Sequence, residues 1–287
     1  MGQSKISFVV LTWNSVRYVE RCVSAVTSLG DLCLEVHVVD NGSNDGTLEF
    51  LHRFASADNR VRVKRLDTNL GTTVSRNMAL REISDYATHV CVLDSDTIVN
   101  RTAFEKMLSS LRSHPEVGVV GPEMSSASGD VQLSGRNLPS LGLKLRKAWP
   151  FGDIARRAAE DERPSSPVID GLQDVGYLLS ACWLMPISSL EKVGLLDEAI
   201  FYAPEDVDWC LRCHEAGLRV CLCTEAHIIH EYQRISHKKL VSKTNLEHLK
   251  GLAHFFRKHG YLFRAPIVNG IDGLDENYGK LARKIFR

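Results

Sequence analysis

Short apolar runs alternate with amphipathic stretches through the first 123 residues of the chain. Five of these runs are rich in β-branched residues and predict strands, at residues 6–11, 35–39, 61–65, 89–93 and 117–120. Between the first two, valines at positions 16, 19, 23 and 26 recur at helical spacing, and Gly30 ends the predicted helix. This alternation is typical of an α/β protein in which crossover helices flank a mainly parallel sheet.

The remainder of the chain has a less regular pattern. Residues 124–171 are rich in Ser, Gly, Pro and charged side chains with little periodicity, and they predict a functional loop or a lid, because ordinary connections are shorter. Regular elements are predicted again at 173–186 (a strand), at 205–217 (a helix that ends at glycine) and at 238–258 (a helix). In the last helix, Leu246, Leu249, Ala253 and Phe256 fall on one face.

Composition limits the classes of protein that fit. With 287 residues, 44% of them hydrophobic, the chain can form one large domain or a main domain with a smaller appendage. Lys plus Arg and Asp plus Glu both number 35, so no net field attracts nucleic acid and we predict no nucleic-acid partner. The apolar start runs directly into a turn and reads as a strand, not a signal peptide. No run approaches the roughly 20 apolar residues of a membrane span.

The cysteines favour a reducing compartment. Eight are scattered without the spacing of a small disulfide-rich domain, which predicts a cytoplasmic location. Cys210, Cys213, Cys221 and Cys223 have spacings that a zinc site would allow. However, Cys221 and Cys223 alternate in a strand-like run, where both sulfurs point to one face as packing residues do. Packing is the favoured interpretation and zinc the lesser alternative.

Two carboxylates follow the predicted strand at 89–93. Asp94 and Asp96 are two residues apart and project to the same side of a sheet. In open sheets of this kind, the ligand crevice lies beyond the carboxyl ends of the strands. Near neutral pH such a pair is tolerated when it faces water, shares a proton or holds a divalent cation. A solvated turn is the simpler alternative for an isolated pair.

A second acidic group begins the predicted helix at 205–217. Glu205, Asp206 and Asp208 lie at the positive end of the helix dipole, which is a sufficient structural explanation by itself. A carboxylate in the same crevice as a metal would also serve as a general base for an attacking hydroxyl. Asp206 is the first choice for this base and Glu205 the second, and Asp208 is interpreted as a helix or packing residue.

A histidine near the end of a strand-like run completes the set of candidates. His230, with His227 behind it, offers an imidazole that manganese accepts alongside carboxylates. A structural histidine is the alternative. Nearby, Arg234 has the planar fork that matches the oxygens of a diphosphate.

Taken together, these residues resemble the family 2 inverting glycosyltransferases, which have the GT-A fold. The matching stretches appear in the family's order over nearly the whole chain, and this order is more specific than any single motif. They are LTWNSVRYVERCVSAV, VHVVDNGSNDGTLEFL, NLGTTVSRNMAL, VLDSDT, the strand with Ala181 and Cys182, FYAPEDVDWCLRCHEAG and the histidine near IIHEYQRIS. Among family members, the chain most resembles bacterial rhamnosyltransferase-like enzymes of cell-surface polysaccharide synthesis.

The resemblance implies a domain organisation. Residues 1–235 would form a GT-A catalytic domain with a Rossmann-like, mainly parallel central sheet flanked by helices, and residues 236–287 a C-terminal helical extension. Within the domain, 1–123 would be the nucleotide-binding half, 124–171 the long loop and 172–235 the acceptor and catalytic half.

The resemblance also implies the reaction. A sugar would pass from a UDP-, GDP- or dTDP-sugar to a saccharide or lipid-linked saccharide acceptor, with Mn²⁺ or Mg²⁺ as cofactor. The nucleotide-sugar-binding residues would be Thr12, Asn14, Asp40, Asn69, Gly71, Arg76, Asp94, Ser95 and Arg234. The metal ligands would be Asp96, Asp94 and His230, and Asp206 the catalytic base.

Alternatives to this function have specific signatures. A sugar nucleotidyltransferase would carry a glycine-rich phosphate loop near the amino terminus, which the sequence lacks. A catalytically inactive nucleotide-sugar-binding protein of the same fold is disfavoured because both Asp96 and Asp206 are present. The basic and partly apolar stretches at 144–149 and 280–287 suit peripheral contact with the inner face of the cytoplasmic membrane, and solvated helix faces explain them equally well.

Overall fold

The structure is a computed structural model that describes residues 4–147, 152–231, 243–262 and 265–266. The strands are β1 (Ile6–Thr12), β2 (Cys33–Asp40), β3 (Val61–Arg65), β4 (His89–Asp94), β5 (Thr97–Ile98), β6 (Val117–Ser125), β7 (Val131–Gln132), β8 (Gly135–Arg136), β9 (Val168–Ile169), β10 (Leu172–Asp174), β11 (Tyr177–Leu178), β12 (Cys182–Pro186) and β13 (Arg219–His230). The helices are α1 (Val19–Thr27), α2 (Thr47–Ala57), α3 (Thr72–Leu80), α4 (Arg101–Ser113), α5 (Leu141–Lys147), α6 (Gly152–Asp161), α7 (Ile187–Val193), α8 (Glu205–Glu215) and α9 (Lys243–His259).

A mixed, mainly parallel sheet forms the centre of the described part of the chain. Its order is β3-β2-β1-β4-β12-β6-β13-β10-β9. The strands β3, β2, β1 and β4 are parallel, and β12 enters antiparallel between β4 and β6. All five predicted strands are confirmed, and so is the α/β class. The last of the five, β6, continues to Ser125, beyond its predicted end at 120.

Two predictions about the second half of the chain need correction. The single strand predicted at 173–186 is wrong, because this stretch forms β10, β11 and β12, which pair with β13, β8 and β4 respectively. The chain turns between these strands, and each has a different partner. Residues 124–171 show little sequence periodicity, yet they contain α5, α6 and short strands.

The two predicted C-terminal helices are present. The helix predicted at 205–217 is α8, which ends at Glu215. The helix predicted at 238–258 corresponds to α9, and its predicted start at 238–242 lies outside the described residues. No helix of the described residues is long and apolar enough to cross a membrane.

Helices cover both faces of the sheet. On one face α1, α2 and α4 bury residues such as Val23, Leu51 and Phe104. On the other face α3, α8 and α9 bury residues such as Trp209 and Phe255. The cysteines confirm the packing interpretation: Cys221 and Cys223 belong to the first core and Cys210 and Cys213 to the second, so the two pairs do not form one site.

Candidate active site

Polar groups at the carboxyl ends of β1 and β2 form a hydrogen-bonded network. Because these strands pair in register, Thr12 lies opposite Asp40. The Thr12 hydroxyl donates to Asp40 Oδ1 at 3.0 Å, and the Ser43 backbone N–H donates to Oδ2 at 3.1 Å. Asn14 has a positive φ of 50°, and its side-chain oxygen accepts from the Asn44 backbone N–H at 3.0 Å. The turn after β1 and the turn after β2 are therefore joined by side-chain bonds.

A second polar turn precedes α3. Asn69 Oδ1 accepts from the side chain of Asn41 and from the Gly71 backbone N–H, both at 2.9 Å. Gly71 has a φ of 87°, and an added Cβ would collide with the carbonyl oxygen of Phe201. Only glycine lets the start of α3 approach the loop before α8 this closely. The predicted pocket residues at 12, 14, 40, 69 and 71 therefore lie along neighbouring strand ends.

The candidate metal site is at the end of β4. Ligand atoms of Asp94, Asp96 and His230 all lie within 4.8 Å of one another. Pairing of β5 with β13 places His230 opposite Thr97, and the Glu231 backbone N–H donates to the Asp96 carbonyl at 2.9 Å. His230 Nε2 is 3.3 Å from Asp96 Oδ1. Two carboxylates and one imidazole fit a Mn²⁺ ion, which accepts both oxygen and nitrogen ligands.

Gln132, which no sequence pattern marks as a site residue, orients the candidate histidine ligand. Its amide nitrogen donates to the His230 carbonyl at 2.7 Å, which leaves its Oε1 as the acceptor 2.8 Å from His230 Nδ1. The proton of the neutral ring therefore lies on Nδ1, and Nε2 faces Asp96. Such outer hydrogen bonds fix the tautomer of metal-binding histidines. The sequence gives no pattern that would predict this contact, because Gln132 lies in β7, which is only two residues long.

One buried arginine joins the two acidic groups. The Arg76 side chain is 1% exposed, and it lies 2.5 Å from Asp94 Oδ1 and 3.3 Å from Glu205 Oε1. Ser180, just before β12, accepts from the same guanidinium through its hydroxyl at 2.9 Å and its carbonyl at 3.1 Å. Asp94 and Glu205 therefore contact one guanidinium, and the region between the end of β4 and the start of α8 is called the crevice here.

Glu205 and Asp206 differ in their surroundings. The Glu205 side chain is 7% exposed and is held by Arg76 and by the Ser180 hydroxyl. Burial, together with the Asp206 charge, raises the pKa of Glu205 to about 8, although Arg76 acts in the opposite direction. Asp206 is partly exposed, and within the described residues its one hydrogen bond is from the Val207 backbone N–H at 2.9 Å to Oδ1. Burial raises the pKa of Asp206 too, against the influence of Val207, Lys144 and Arg136.

The other candidates have distinct positions. Asp208 is fully buried and pairs with Arg212, Lys258 and His259, which agrees with a packing role. His227 is largely exposed and lies 3.3 Å from Glu123, outside the metal cluster. Ser95 is buried and donates to the Ser15 hydroxyl at 2.8 Å. Arg234 lies outside the described residues.

Comparison with known proteins identifies the family. The model of glycosyl transferase family 2 matches residues 7–158, which is more than half of the chain. The chain belongs to glycosyl transferase family 2. This glycosyltransferase is 25% identical over 279 residues to the N-acetylglucosaminyl-diphospho-decaprenol L-rhamnosyltransferase of Mycobacterium tuberculosis, an alignment that covers 90% of the chain and 86% of the relative. It is also 26% identical over 218 residues to the poly-β-1,6-N-acetyl-D-glucosamine synthase of Staphylococcus epidermidis, which covers 72% and 50% of the two chains.

Solved structures confirm the GT-A fold of this family 2 glycosyltransferase. S. aureus TarS (residues 1–349) in complex with UDP-GlcNAc superposes with a TM-score of 0.60 at 18% identity, covering 98% of the chain and 71% of TarS. GalNAc-T7, solved with UDP, GalNAc and Mn²⁺, superposes with a TM-score of 0.65 at 14% identity, covering 88% of the chain and 47% of GalNAc-T7. The mannosyltransferase PcManGT of Pyrobaculum calidifontis, solved with GDP-Man and Mn²⁺, has a TM-score of 0.58 at 16% identity, with 88% and 63% coverage.

Proposed function

We propose that this glycosyltransferase moves a hexosyl or deoxyhexosyl group from a UDP-, GDP- or dTDP-sugar to an acceptor hydroxyl by a single displacement that inverts the anomeric carbon. The observation that carries the proposal is the contact of Arg76 with both Asp94 and Glu205. Through this contact, the candidate metal site lies close to the start of α8, where Asp206, the carboxylate proposed to deprotonate the acceptor, follows Glu205.

The donor half of the proposal uses the strand ends. Thr12, Asn14 and Asp40 would border the base and ribose, Asn69 and Gly71 the nucleotide, and Ser95 and Arg234 the ribose and diphosphate. Support comes from TarS and PcManGT, whose solved structures contain UDP-GlcNAc and GDP-Man on the same fold. Because Arg76 is buried and already bonded to two carboxylates, its role in this proposal is to position Asp94 and Glu205 within the donor pocket.

Asp94, Asp96 and His230 would hold a Mn²⁺ or Mg²⁺ ion, which would offset the charge that develops on the leaving diphosphate. The protein supplies the rest by position and electrostatics. Asp206 accepts the proton of the acceptor hydroxyl while the oxygen attacks the anomeric carbon from the face opposite the diphosphate. Asp206 suits this role better than Glu205, because it is the more exposed of the two and Glu205 is held by Arg76 and Ser180.

The acceptor half rests on the relatives. The M. tuberculosis relative is named for an acceptor linked through a diphosphate to decaprenol. We therefore propose a saccharide or lipid-linked saccharide acceptor, in bacterial surface polysaccharide or lipopolysaccharide synthesis at the inner face of the cytoplasmic membrane. The exposed Leu145 between Lys144 and Arg146 suits peripheral contact with that surface. Co-sedimentation with anionic and neutral vesicles tests this contact, and equal recovery in both pellets would contradict an electrostatic contribution.

Two variants test the reaction itself. Asp206→Asn should keep its affinity for the donor nucleotide and lose transfer by about 10²-fold or more, as expected when a general base is removed. Asp96→Ala should lose metal-dependent nucleotide binding. Calorimetry with Mn²⁺ and each nucleotide, together with transfer assays, measures both effects. Asp85→Asn, which changes an exposed carboxylate in the connection between α3 and β4, is the matched control. Near-normal turnover by Asp206→Asn would move the base to Glu205.

A further inference from the structure

Three basic side chains lie in the segment whose sequence shows little periodicity, and two of them act on the candidate base. Arg136 is in β8, and Lys144 and Lys147 are in α5; together they are called the cationic cluster here. Lys144 and Arg136 both interact electrostatically with Asp206. Because β8 pairs with β11 and β11 packs against α8, the fold places Arg136 beside the helix that carries Asp206.

The fold holds the cationic cluster in place from two directions. The pairing of β8 with β11 sets Arg136 opposite Tyr177, a buried residue next to the same crevice. At the other end, the Leu141 backbone N–H that begins α5 donates to the Leu262 carbonyl at 2.7 Å. The Tyr261 hydroxyl donates to the Pro139 carbonyl at 3.1 Å. The segment after α9 therefore anchors the start of α5.

Among the described residues, Glu162 is the one carboxylate that makes direct ion pairs with the three cations of the cluster. Glu162, whose side chain is 5% exposed, lies 2.5 Å from the Lys147 ammonium and 3.3 Å from the Arg136 guanidinium. Within the described part of the chain, the Lys144 ammonium makes no direct hydrogen bond or ion pair. Burial lowers the pKa of Lys144, although Glu162 and Asp206 act in the opposite direction. An anion bound beside Lys144 would be attracted strongly, because the buried ammonium is poorly solvated by water.

An open cavity of about 400 Å³ adjoins the cluster. Its charged lining is Arg136, Lys147, Arg156, Arg163, Glu160 and Glu162. This volume falls within the range of about 300–1,000 Å³ that is usual for small-molecule sites. The guanidinium and ammonium groups provide the donors that phosphate oxygens accept.

We propose that the cationic cluster binds the phosphate or diphosphate of a lipid-linked acceptor and thereby places the acceptor hydroxyl at Asp206. The inference rests on the proposed function and adds a second anion site, distinct from the donor site at Asp94, Asp96 and His230. Its location favours the acceptor, because β8, which carries Arg136, pairs with β11, and β11 packs against α8, which carries the candidate base. The candidate metal ligands lie elsewhere, at the end of β4 and in β13.

Binding of a short prenyl diphosphate tests this site directly. Calorimetry is performed in EDTA, so that the metal site takes no part, with farnesyl diphosphate, farnesol and inorganic pyrophosphate as probes. The wild type should bind farnesyl diphosphate, and Lys144→Gln should bind it about tenfold more weakly or worse, since a hydrogen bond to a charged group is lost. Lys144→Arg should retain most of the affinity. Lys192→Gln, an exposed lysine on α7, should behave as the wild type.

The remaining outcomes would overturn the inference. Equal affinity of the wild type and Lys144→Gln for farnesyl diphosphate would exclude the cluster as the site. Pyrophosphate bound as tightly as farnesyl diphosphate would assign the site to free phosphate and not to an acceptor, and farnesol bound as tightly would exclude anion recognition. Nucleotide binding with Mn²⁺, measured on the same samples, separates the two proposals: if it is present while farnesyl diphosphate binding is absent, only this inference fails.

Discussion

At the scale of single residues, Arg76 contributes to the stability of the fold through the same carboxylates that form the candidate site. Its guanidinium is the buried partner of Asp94 and Glu205, so Arg76→Leu should leave Glu205 without its cation. Removing one member of a buried ion pair costs about 3–5 kcal/mol of unfolding free energy. Urea unfolding should show this loss, and adding Glu205→Gln should recover part of it, because the unpaired carboxylate is then removed.

The control for this prediction is a surface ion pair of the same type. Arg81 and Glu198 are about half exposed, and Arg81→Leu should change stability by less than about 1 kcal/mol. A double variant Arg76→Leu/Glu205→Gln that is no more stable than Arg76→Leu alone would contradict the assignment of the cost to Glu205.

A substitution at Gln132 tests the metal site while leaving all three candidate metal ligands unchanged. Gln132→Leu removes the acceptor that holds the His230 Nδ1 proton. Loss of such an outer contact weakens metal binding by about 10–100-fold. Titration of Mn²⁺ into the nucleotide complex measures the change, with Gln173→Leu, which lies in β10, as the control. Unchanged Mn²⁺ affinity in Gln132→Leu would show that His230 is not a ligand or needs no orientation.

The site residues that could be predicted are those marked by a local sequence pattern, and the ones missed depend on contacts between distant parts of the chain. Asp94 and Asp96 were predictable because an apolar strand points them at the crevice, and Asp206 because it begins a helix. Gln132 and the contacts of Arg76 were not, because they depend on which side chains meet across strands distant in sequence. Lys144 was visible only as part of a basic stretch, without its relation to Asp206.

At the scale of elements, α9 supports the loop that precedes the candidate base. Gly251 of α9 packs against the backbone before α8, and an added Cβ would collide with the Ala203 carbonyl oxygen. Gly251→Ala should therefore displace α9 or the loop, and lower transfer activity while nucleotide binding, which depends on the other half of the crevice, is retained. Gly152→Ala, where an added Cβ meets nothing within 4 Å, is the control. Equal activity of both variants would contradict this role of α9.

The contact between α8 and α9 should also make stability depend on pH. His259 of α9 faces Asp208 and Glu215 of α8, and Lys258 shares Asp208. Burial alone would lower the pKa of His259, but its hydrogen bonds to these carboxylates outweigh burial, and the net direction is upward. Protonated His259 therefore stabilises the folded state. This contribution is fully present when the pH is below the unfolded-state pKa of about 6.5, and it is lost as the pH rises through the higher pKa of the folded state.

His259→Gln removes this contribution. The variant should be less stable than the wild type by about 1–2 kcal/mol at pH 5.5, and the difference should shrink as pH rises above 7. Guanidinium unfolding across this range measures it, and His52→Gln on the surface of α2 is the control. A difference that stays constant with pH would mean that His259 acts by packing and not by charge.

The elements themselves were predictable to different degrees. Strands β1, β4 and β6 were found because each contains an unbroken apolar run, and β2 and β3 because β-branched residues alternate with polar ones in them. The stretch 173–186 was misread because apolar content does not show where a chain leaves one partner strand for another. The helices α5 and α6 escaped detection because they are short and highly charged, with Leu143 and Ala158 as their buried positions among the residues described.

At the scale of the whole molecule, the two halves of the crevice meet only in the folded chain, so a ligand that bridges them should stabilise the entire domain. A ligand that binds only the folded state at about 100 times its Kd adds about 2.7 kcal/mol, which for a chain of this size raises Tm by roughly 5–10 °C. Metal and nucleotide should act together, because the carboxylates and His230 hold the cation while the strand ends hold the nucleotide.

Thermal unfolding with UDP, GDP or dTDP, each with Mn²⁺ or Mg²⁺, tests this joint binding. The largest increase in Tm should come from one nucleotide in combination with a metal. Asp96→Ala should abolish the metal-dependent part, and a nucleotide shift that is the same with EDTA as with metal would contradict a shared donor site around Asp94 and Asp96.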